Sequence, residues 1–181
     1  MYVFWQRGYA DASLDLLSVA TGLGRGSLYG AFGGKDALFR KCLDRYSSIY
    51  GAKYEQAVAA HPSEPARAIE ALFGVALDRI ADPAVPDGCL IALSASQSAT
   101  LQDDSRAHVQ AILEEQRGRV RAALSTADVD AHELDELAIY VVAVIQSLAL
   151  LSRAGIPDAD LHSVAQIACT TVSGALRQTP A

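Results

Sequence analysis

From Ser13 to Phe39 the chain reads SLDLLSVATGLGRGSLYGAFGGKDALF, and the order of residues in this stretch decides the fold. Leu14, Leu17 and the pair Val19-Ala20 give an apolar face to a short helix over about 13–21, with Ser13 as its N-cap. Ala20 is small, as a close helix crossing requires. Gly22 permits the left-handed backbone of a tight turn, and Leu23 fills the angle behind it. Leu28 and Phe32, four residues apart, bury the inner side of a third helix over about 25–31. Arg25, Gly26, Ser27, Tyr29 and Gly30 are then left facing outward. Two helices joined by a Gly turn, the second with small and hydrogen-bonding residues on its free side, form a helix-turn-helix. Its second helix fits a DNA major groove.

Outward from this motif, strand signals are nearly absent and the spacing predicts an all-α chain of about nine helices. A first stub over about 2–8 stops at Gly8. A long fourth helix over about 35–60 stops before Pro62. A fifth over about 64–82 is opened by Ser63 as N-cap, with Pro65 in its first turn. A sixth spans about 89–101 and a seventh about 104–126. An eighth spans about 132–154, where Asp130 and Glu133 have capping-box spacing. A ninth, opened by Asp158, spans about 158–178. Nothing breaks the chain between 35 and 60, so the boundary falls inside the fourth helix. Residues 1–46 are a helix-turn-helix DNA-binding domain and 47–181 a helical ligand-binding and dimerisation domain, joined by one rigid rod.

The net charge of -6 conceals an asymmetry. Residues 1–53 carry seven Lys and Arg against four Asp, a surplus of three. Residues 54–181 carry eight Arg against seventeen Asp and Glu, a deficit of nine. A basic end on an acidic body suits contact with phosphate at one end only. The three cysteines, Cys42, Cys89 and Cys169, are widely spaced, form no metal motif and read as reduced thiols in a cytoplasm. Cys89 reads as a small core residue. No signal peptide is visible, and no run reaches the length of a membrane span. The most apolar, Leu137 to Leu151, is about 15 residues where roughly 20 are needed.

Other chemistries find no constellation. The four histidines are scattered without metal spacing, and no G-x-S-x-G nucleophile motif exists. Gly22 to Gly26 follows no strand, which excludes a dinucleotide loop, and Gly33-Gly34-Lys35 lacks the rest of a phosphate loop. No enzyme activity, cofactor or metal is expected.

The stretch from Phe4 to Tyr46 carries F-W-x-x-G-Y, then S-L-x-x-L-x-x-A-T-G, then G-R-G-S-L-Y-x-x-F-x-x-K-D-A-L-F, all in one register. This resembles the signature of the TetR family of transcriptional regulators. The resemblance implies that Tyr29 and Lys35 contact backbone phosphates, while Arg25, Gly26, Ser27 and Gly30 face the bases. Ser13 joins them as a DNA-contacting residue. Lys35 opens a helix whose N-terminal amides also favour an anion, and Arg25 can grip guanine bidentately. The resemblance also implies a homodimeric repressor that reads a palindromic operator and releases it when a small-molecule effector enters the body. The family has a full first helix before F-W-x-x-G-Y, whereas here Met1 stands three residues before Phe4. The alternative is therefore a dimeric small-molecule-binding protein that has lost DNA binding.

The eighth and ninth helices are apolar around most of their circumference, so a second copy must help to cover them. Leu137, Val141, Ile145, Leu148, Val164, Ala168 and Val172 are the expected dimer face. Helical phase brings Phe73, Leu77, Leu93, Gln97, Ile112, Gln116 and Tyr140 inward as an expected effector pocket. An effector there would push on the C-terminal end of the fourth helix.

Overall fold

The computed structural model describes residues 1–177. Among the described residues there are nine α-helices and no strand. They are α1 (Tyr2–Asp11), α2 (Leu14–Thr21), α3 (Arg25–Phe32), α4 (Lys35–Ala59), α5 (Pro65–Ala81), α6 (Leu90–Ser96), α7 (Asp103–Leu124), α8 (Ala131–Arg153) and α9 (Asp158–Ala175). The expected end of the ninth helix at residue 178 lies outside the described residues.

Two predicted caps are present. Ser13 Oγ accepts from the Leu16 amide at 3.2 Å, and Asp130 Oδ1 from the Glu133 amide at 2.8 Å. Gly22 closes α2 in the left-handed conformation at φ 69°. Two other starts differ. Glu64, not Ser63, caps α5, with Pro65 as the first helical residue, and Pro157 caps α9. α6 also stops short of 101, at Ser96, followed by a 3-10 turn over Ser98–Thr100. Ser94 and Ser96 hydroxyls bond back to the carbonyls of Leu90 and Leu93 at 2.6 and 2.8 Å, which loosens the helix end. Gln97 then leaves the helical path, and its Oε1 accepts from the Tyr9 amide at 3.2 Å. Gly8 makes room for this contact. At φ 79° it kinks α1, and a Cβ there would lie 2.3 Å from Gln97 Oε1.

The apolar residues gather in two cores. One joins α5, α8, α9 and the end of α7 around Phe73, Leu124, Val141 and Leu148. The other crosses from head to body. Phe4, Trp5, Leu17, Leu28, Phe39 and Tyr46 pack with Leu90, Ile91, Val109 and Ile112. Each large side chain buried in this way contributes about 1.5–3 kcal/mol. α1 is thus fastened to α6 as well as to α4, and the core runs across position 46.

α8 departs from its reading in two ways. By length and composition alone it is long and apolar enough to cross a membrane. Its few polar residues do not interrupt it, and it serves as the central helix, touching α5, α6, α7 and α9. Its phase is also different from the expectation. Leu137, Val141, Ile145 and Leu148, with Ala168 and Val172 of α9, lie in the protomer's own core, none more than 8% exposed. Buried there, they are not free to meet a second copy. Of the seven residues expected at a dimer face only Val164 is exposed. The large apolar residues left outside are Ile139 (50%), Leu150 (39%) and Leu151 on α8, and Ile167 (62%) on α9. Both helices are apolar on several sides, and neighbouring α5 and α7 take the broadest one.

Candidate nucleic-acid interface and interior cavity

Leu28 anchors α3 in the core at 2% exposure, and Phe32 is half-buried beside it. The opposite side of α3 is open. Arg25, Gly26, Ser27, Tyr29 and Gly30 are all exposed, as is Ser13 at the start of α2. The inner face of α2 is narrower than its sequence indicates. Leu17 is buried and Leu14 half-buried, but Val19 is 84% exposed and Ala20 is exposed as well, so Ala20 does not mark a close crossing.

Three of the expected contact residues are already engaged. Arg25 grips Asp15 of α2, with Nη2 donating to Oδ1 at 2.6 Å and to Oδ2 at 2.8 Å, and Nε to Oδ1 at 2.9 Å. The hydrogen bonds and charge of Asp15 raise the Arg25 pKa, so the group stays cationic. Both partners are solvent-exposed, and an exposed pair is weak enough to be traded for a phosphate or a guanine edge. Lys35 bends toward α1. Its Nζ donates to the Ala10 carbonyl at 3.2 Å and lies 4.6 Å from the centre of the Tyr9 ring. Partial burial lowers its pKa, against the nearby charge of Asp11. Ser13 Oγ accepts the Leu16 amide at the α2 cap, which leaves its O–H as a donor.

A cavity of about 40 Å³ lies in the body between α4, α5, α7 and α8. Tyr46, Tyr50 and Tyr54 of α4 form one wall, and Leu72 and Arg79 of α5 another. Ile112, Gln116 and Arg119 of α7 face Ile145 and Gln146 of α8 across it. Ile112 and Gln116 thus stand where the sequence reading put them. Phe73, Leu77, Leu93, Gln97 and Tyr140 do not line it. On α5 the phase that turns Leu72 and Arg79 to the cavity turns Phe73 into the α8–α9 core, with Leu77 packed against that core. On α8, Tyr140 sits about 200° around the axis from Val142, which does line the cavity. Leu93 is buried in α6, and Gln97 is taken by Tyr9.

Arg79 is the unexpected member. It is 5% exposed, yet it is a guanidinium. Nε donates to the Gly88 carbonyl at 3.2 Å and Nη1 to the Tyr54 hydroxyl at 3.1 Å, while Nη2 has no partner. Its guanidinium carbon stands 5.6 Å from the centre of the Tyr50 ring. Tyr46 donates its O–H to Cys89 Sγ at 3.1 Å, and burial pushes the Tyr46 pKa well up, so it remains a neutral phenol. The cavity also touches the head. Trp5 of α1 meets Tyr46 edge-on at 4.9 Å between ring centres and Tyr50 at 5.8 Å. Arg153, at the end of α8, donates to the carbonyl of Trp5 at 3.2 Å and to that of Gln6. The cavity therefore adjoins the middle of α4, around Tyr46 to Tyr54, not its C-terminal end. One signal was visible in the sequence: Tyr46, Tyr50 and Tyr54 recur every four residues on an unbroken helix.

Comparison with known proteins agrees with this geometry. Residues 1–42 match the family model described as bacterial regulatory proteins, tetR family, and residues 65–168 match the one described as tetracyclin repressor-like, C-terminal domain. The chain is 28% identical over 181 residues to the HTH-type transcriptional repressor ComR of Escherichia coli K12, covering 95% of this chain and 83% of that protein. A cysteine mutant of the TetR family transcriptional regulator CifR, solved in complex with 26-bp double-strand operator DNA, superposes with a TM-score of 0.80 at 30% identity. That match covers 93% of this chain and 91% of the other. A TetR transcriptional regulator from Legionella pneumophila shares the fold at a TM-score of 0.82 with 17% identity, over 93% and 90% of the two chains.

Proposed function

The chain belongs to the TetR family, and on that premise we propose that it is a DNA-binding transcriptional repressor. It acts as a homodimer on a palindromic operator and is released by a small-molecule effector. The observation that carries this reading is the outer face of α3, where five small or hydrogen-bonding residues on either side of the buried Leu28 stand open to solvent. Arg25, Gly26, Ser27 and Gly30 face base edges in the major groove. Ser13, Tyr29 and Lys35 hold the flanking phosphates. The domain boundary lies within α4, between the helix-turn-helix and the effector-binding body. No residue is assigned a catalytic role, and the cytoplasm, where the operator is, is the place of action.

Dimerisation uses the open sides of α8 and α9. Ile139 and Leu150 on α8 and Val164 and Ile167 on α9 form a stripe too apolar to be left to water. Its two-fold pairing makes a four-helix bundle. Such a dimer presents two copies of α3 to half-sites about one DNA turn, roughly 34–36 Å, apart. Selection of duplexes from a random library by the full chain tests the reading. Enriched sequences containing inverted repeats about 10 base pairs apart, centre to centre, are expected. Enrichment of no sequence, or of a single unrepeated half-site, overturns it.

A further inference from the structure

Arg79 presents a physical problem that the fold does not resolve. A guanidinium is charged at every physiological pH, and a buried charge requires an opposite one. Arg79 is 5% exposed, and no carboxylate pairs with it among the described residues. Its partners are a backbone carbonyl and a phenol, its Nη2 is buried without a partner, and the residue lines the cavity. Tyr46 and Tyr54 beside it do not supply the missing charge. Burial raises the pKa of both phenols, which keeps them neutral. The second cation on the cavity, Arg119, is already matched by Glu115 at 2.9 Å and Glu55 at 3.4 Å. Arg79 is thus the cation on this cavity that has no carboxylate within ion-pair distance among the described residues.

We propose that this cavity is the receptor for a small organic carboxylate, with Arg79 as its counter-ion. The proposal rests on reading the chain as an effector-released regulator, and it gives that effector a chemical class. A planar guanidinium presents parallel N–H groups that match the two oxygens of a carboxylate. The Tyr54 hydroxyl accepts from Arg79, so its own proton is free to point at the same anion. The remaining wall is apolar and aromatic, with Leu72, Ile112, Ile145 and Tyr50, which suits a hydrocarbon body and disfavours a multiply charged phosphate. On the far side, Gln146 Nε2 donates to Gln116 Oε1 at 2.7 Å, while Gln146 Oε1 is unpartnered. A hydroxyl on the ligand would satisfy it.

The size of the space also selects. A single water needs about 10–15 Å³ of such volume, so about 40 Å³ holds roughly three waters or one compact acid. Ser47, Gly51, Ile112, Glu115 and Arg119 border both the cavity and an open groove between α4 and α7, which gives a route in. The route out, to the DNA head, is short. An acid held by Arg79 sits beside Tyr50, Tyr50 touches Trp5, and Trp5 belongs to α1.

Isothermal titration of the full chain in low-chloride buffer, with acetate and propionate each run beside its neutral amide, tests the proposal. Each acid is expected to bind at least about tenfold more tightly than its amide. Arg79→Gln is expected to weaken the acids by about 10–100-fold and to remove their advantage over the amides. Amides that bind as well as acids, or no binding of either acid up to about 10 mM, overturn the proposal. The wild-type ranking alone decides this if the variant does not fold. Repeating the titration with a library-selected duplex separates the two readings. Acids that bind the free chain without altering duplex affinity would leave the receptor standing and refute effector release. A chain that binds the duplex but not the acids would do the reverse.

Discussion

Ile167→Glu tests which side of the terminal helices meets the second copy. Ile167 is 62% exposed in the protomer and has no place in either core. Full burial of such a side chain is worth about 1.5–3 kcal/mol, so covering the exposed part is worth about 1–2 kcal/mol per copy. Two-fold symmetry doubles this to about 2–4 kcal/mol. The substituted glutamates would each be buried without a partner, at a further cost of a few kcal/mol. A total above about 5 kcal/mol weakens dimerisation by more than about 10³-fold, enough to turn a nanomolar dimer into a micromolar one. Sedimentation velocity over about 0.1–50 µM should show wild-type dimer throughout and the variant dissociating to monomer at the low end. The variant's helix content should be unchanged, because the side chain stands outside the protomer core. Val141→Glu is the contrast: Val141 is fully buried within the protomer, so that change should unfold the chain. An intact Ile167→Glu dimer, or a wild-type monomer throughout this range, would refute the assignment of the face.

Three further changes probe other joints. Gly88→Ala should lower stability by about 2 kcal/mol or more and the melting temperature by about 4–8 °C, because φ is 80° and the new Cβ would lie 2.7 Å from the Ala149 carbonyl oxygen. Thermal denaturation checks this, and an unchanged melting temperature would contradict it. Asp15→Asn frees Arg25 and removes a negative charge from the DNA face. Fluorescence anisotropy should show tighter duplex binding by about 2–10-fold, and a salt dependence steeper by about one ion. Lys35→Met should weaken all duplexes alike and flatten the salt dependence by about one ion, whereas a loss of stability alone would make Lys35 only the fastener of α1 to α4.

What the sequence made legible was local. The α2–turn–α3 unit is specified by Ser13, Gly22 and Leu28 within a short window, and each does there what its chemistry predicts. Phase on an all-round apolar helix is not local. Leu137 and Ile139 are equally apolar in sequence, and only the packing of α5 and α7 against α8 decides that the first is inside and the second outside. The cavity was legible on α7, where Ile112 and Gln116 lie four residues apart and both line it. Arg79 occupies the last turn of α5, where a cation ordinarily complements the helix dipole from solvent. Its burial comes from Gly88 and Tyr54, distant in sequence. Likewise Gln97 read as a cavity residue, but its short-range fate is set by Gly8, which opens α1 to receive it.

The central claim is that the open face of α3 reads DNA, and one comparison tests it most directly. Anisotropy titrations would measure the affinity of wild-type chain and an Arg25→Ala/Tyr29→Ala double variant for the library-selected duplex and for a scrambled duplex, at two salt concentrations. Arg25 and Tyr29 are exposed, and Tyr29 is 54% so, which means that the double variant should keep the wild-type melting temperature. The account predicts that wild type prefers the selected duplex by at least about 10³-fold and that the double variant loses most of that preference, leaving weak, salt-sensitive binding to both. A double variant that folds and still discriminates the two duplexes as wild type does would show that sequence is read elsewhere.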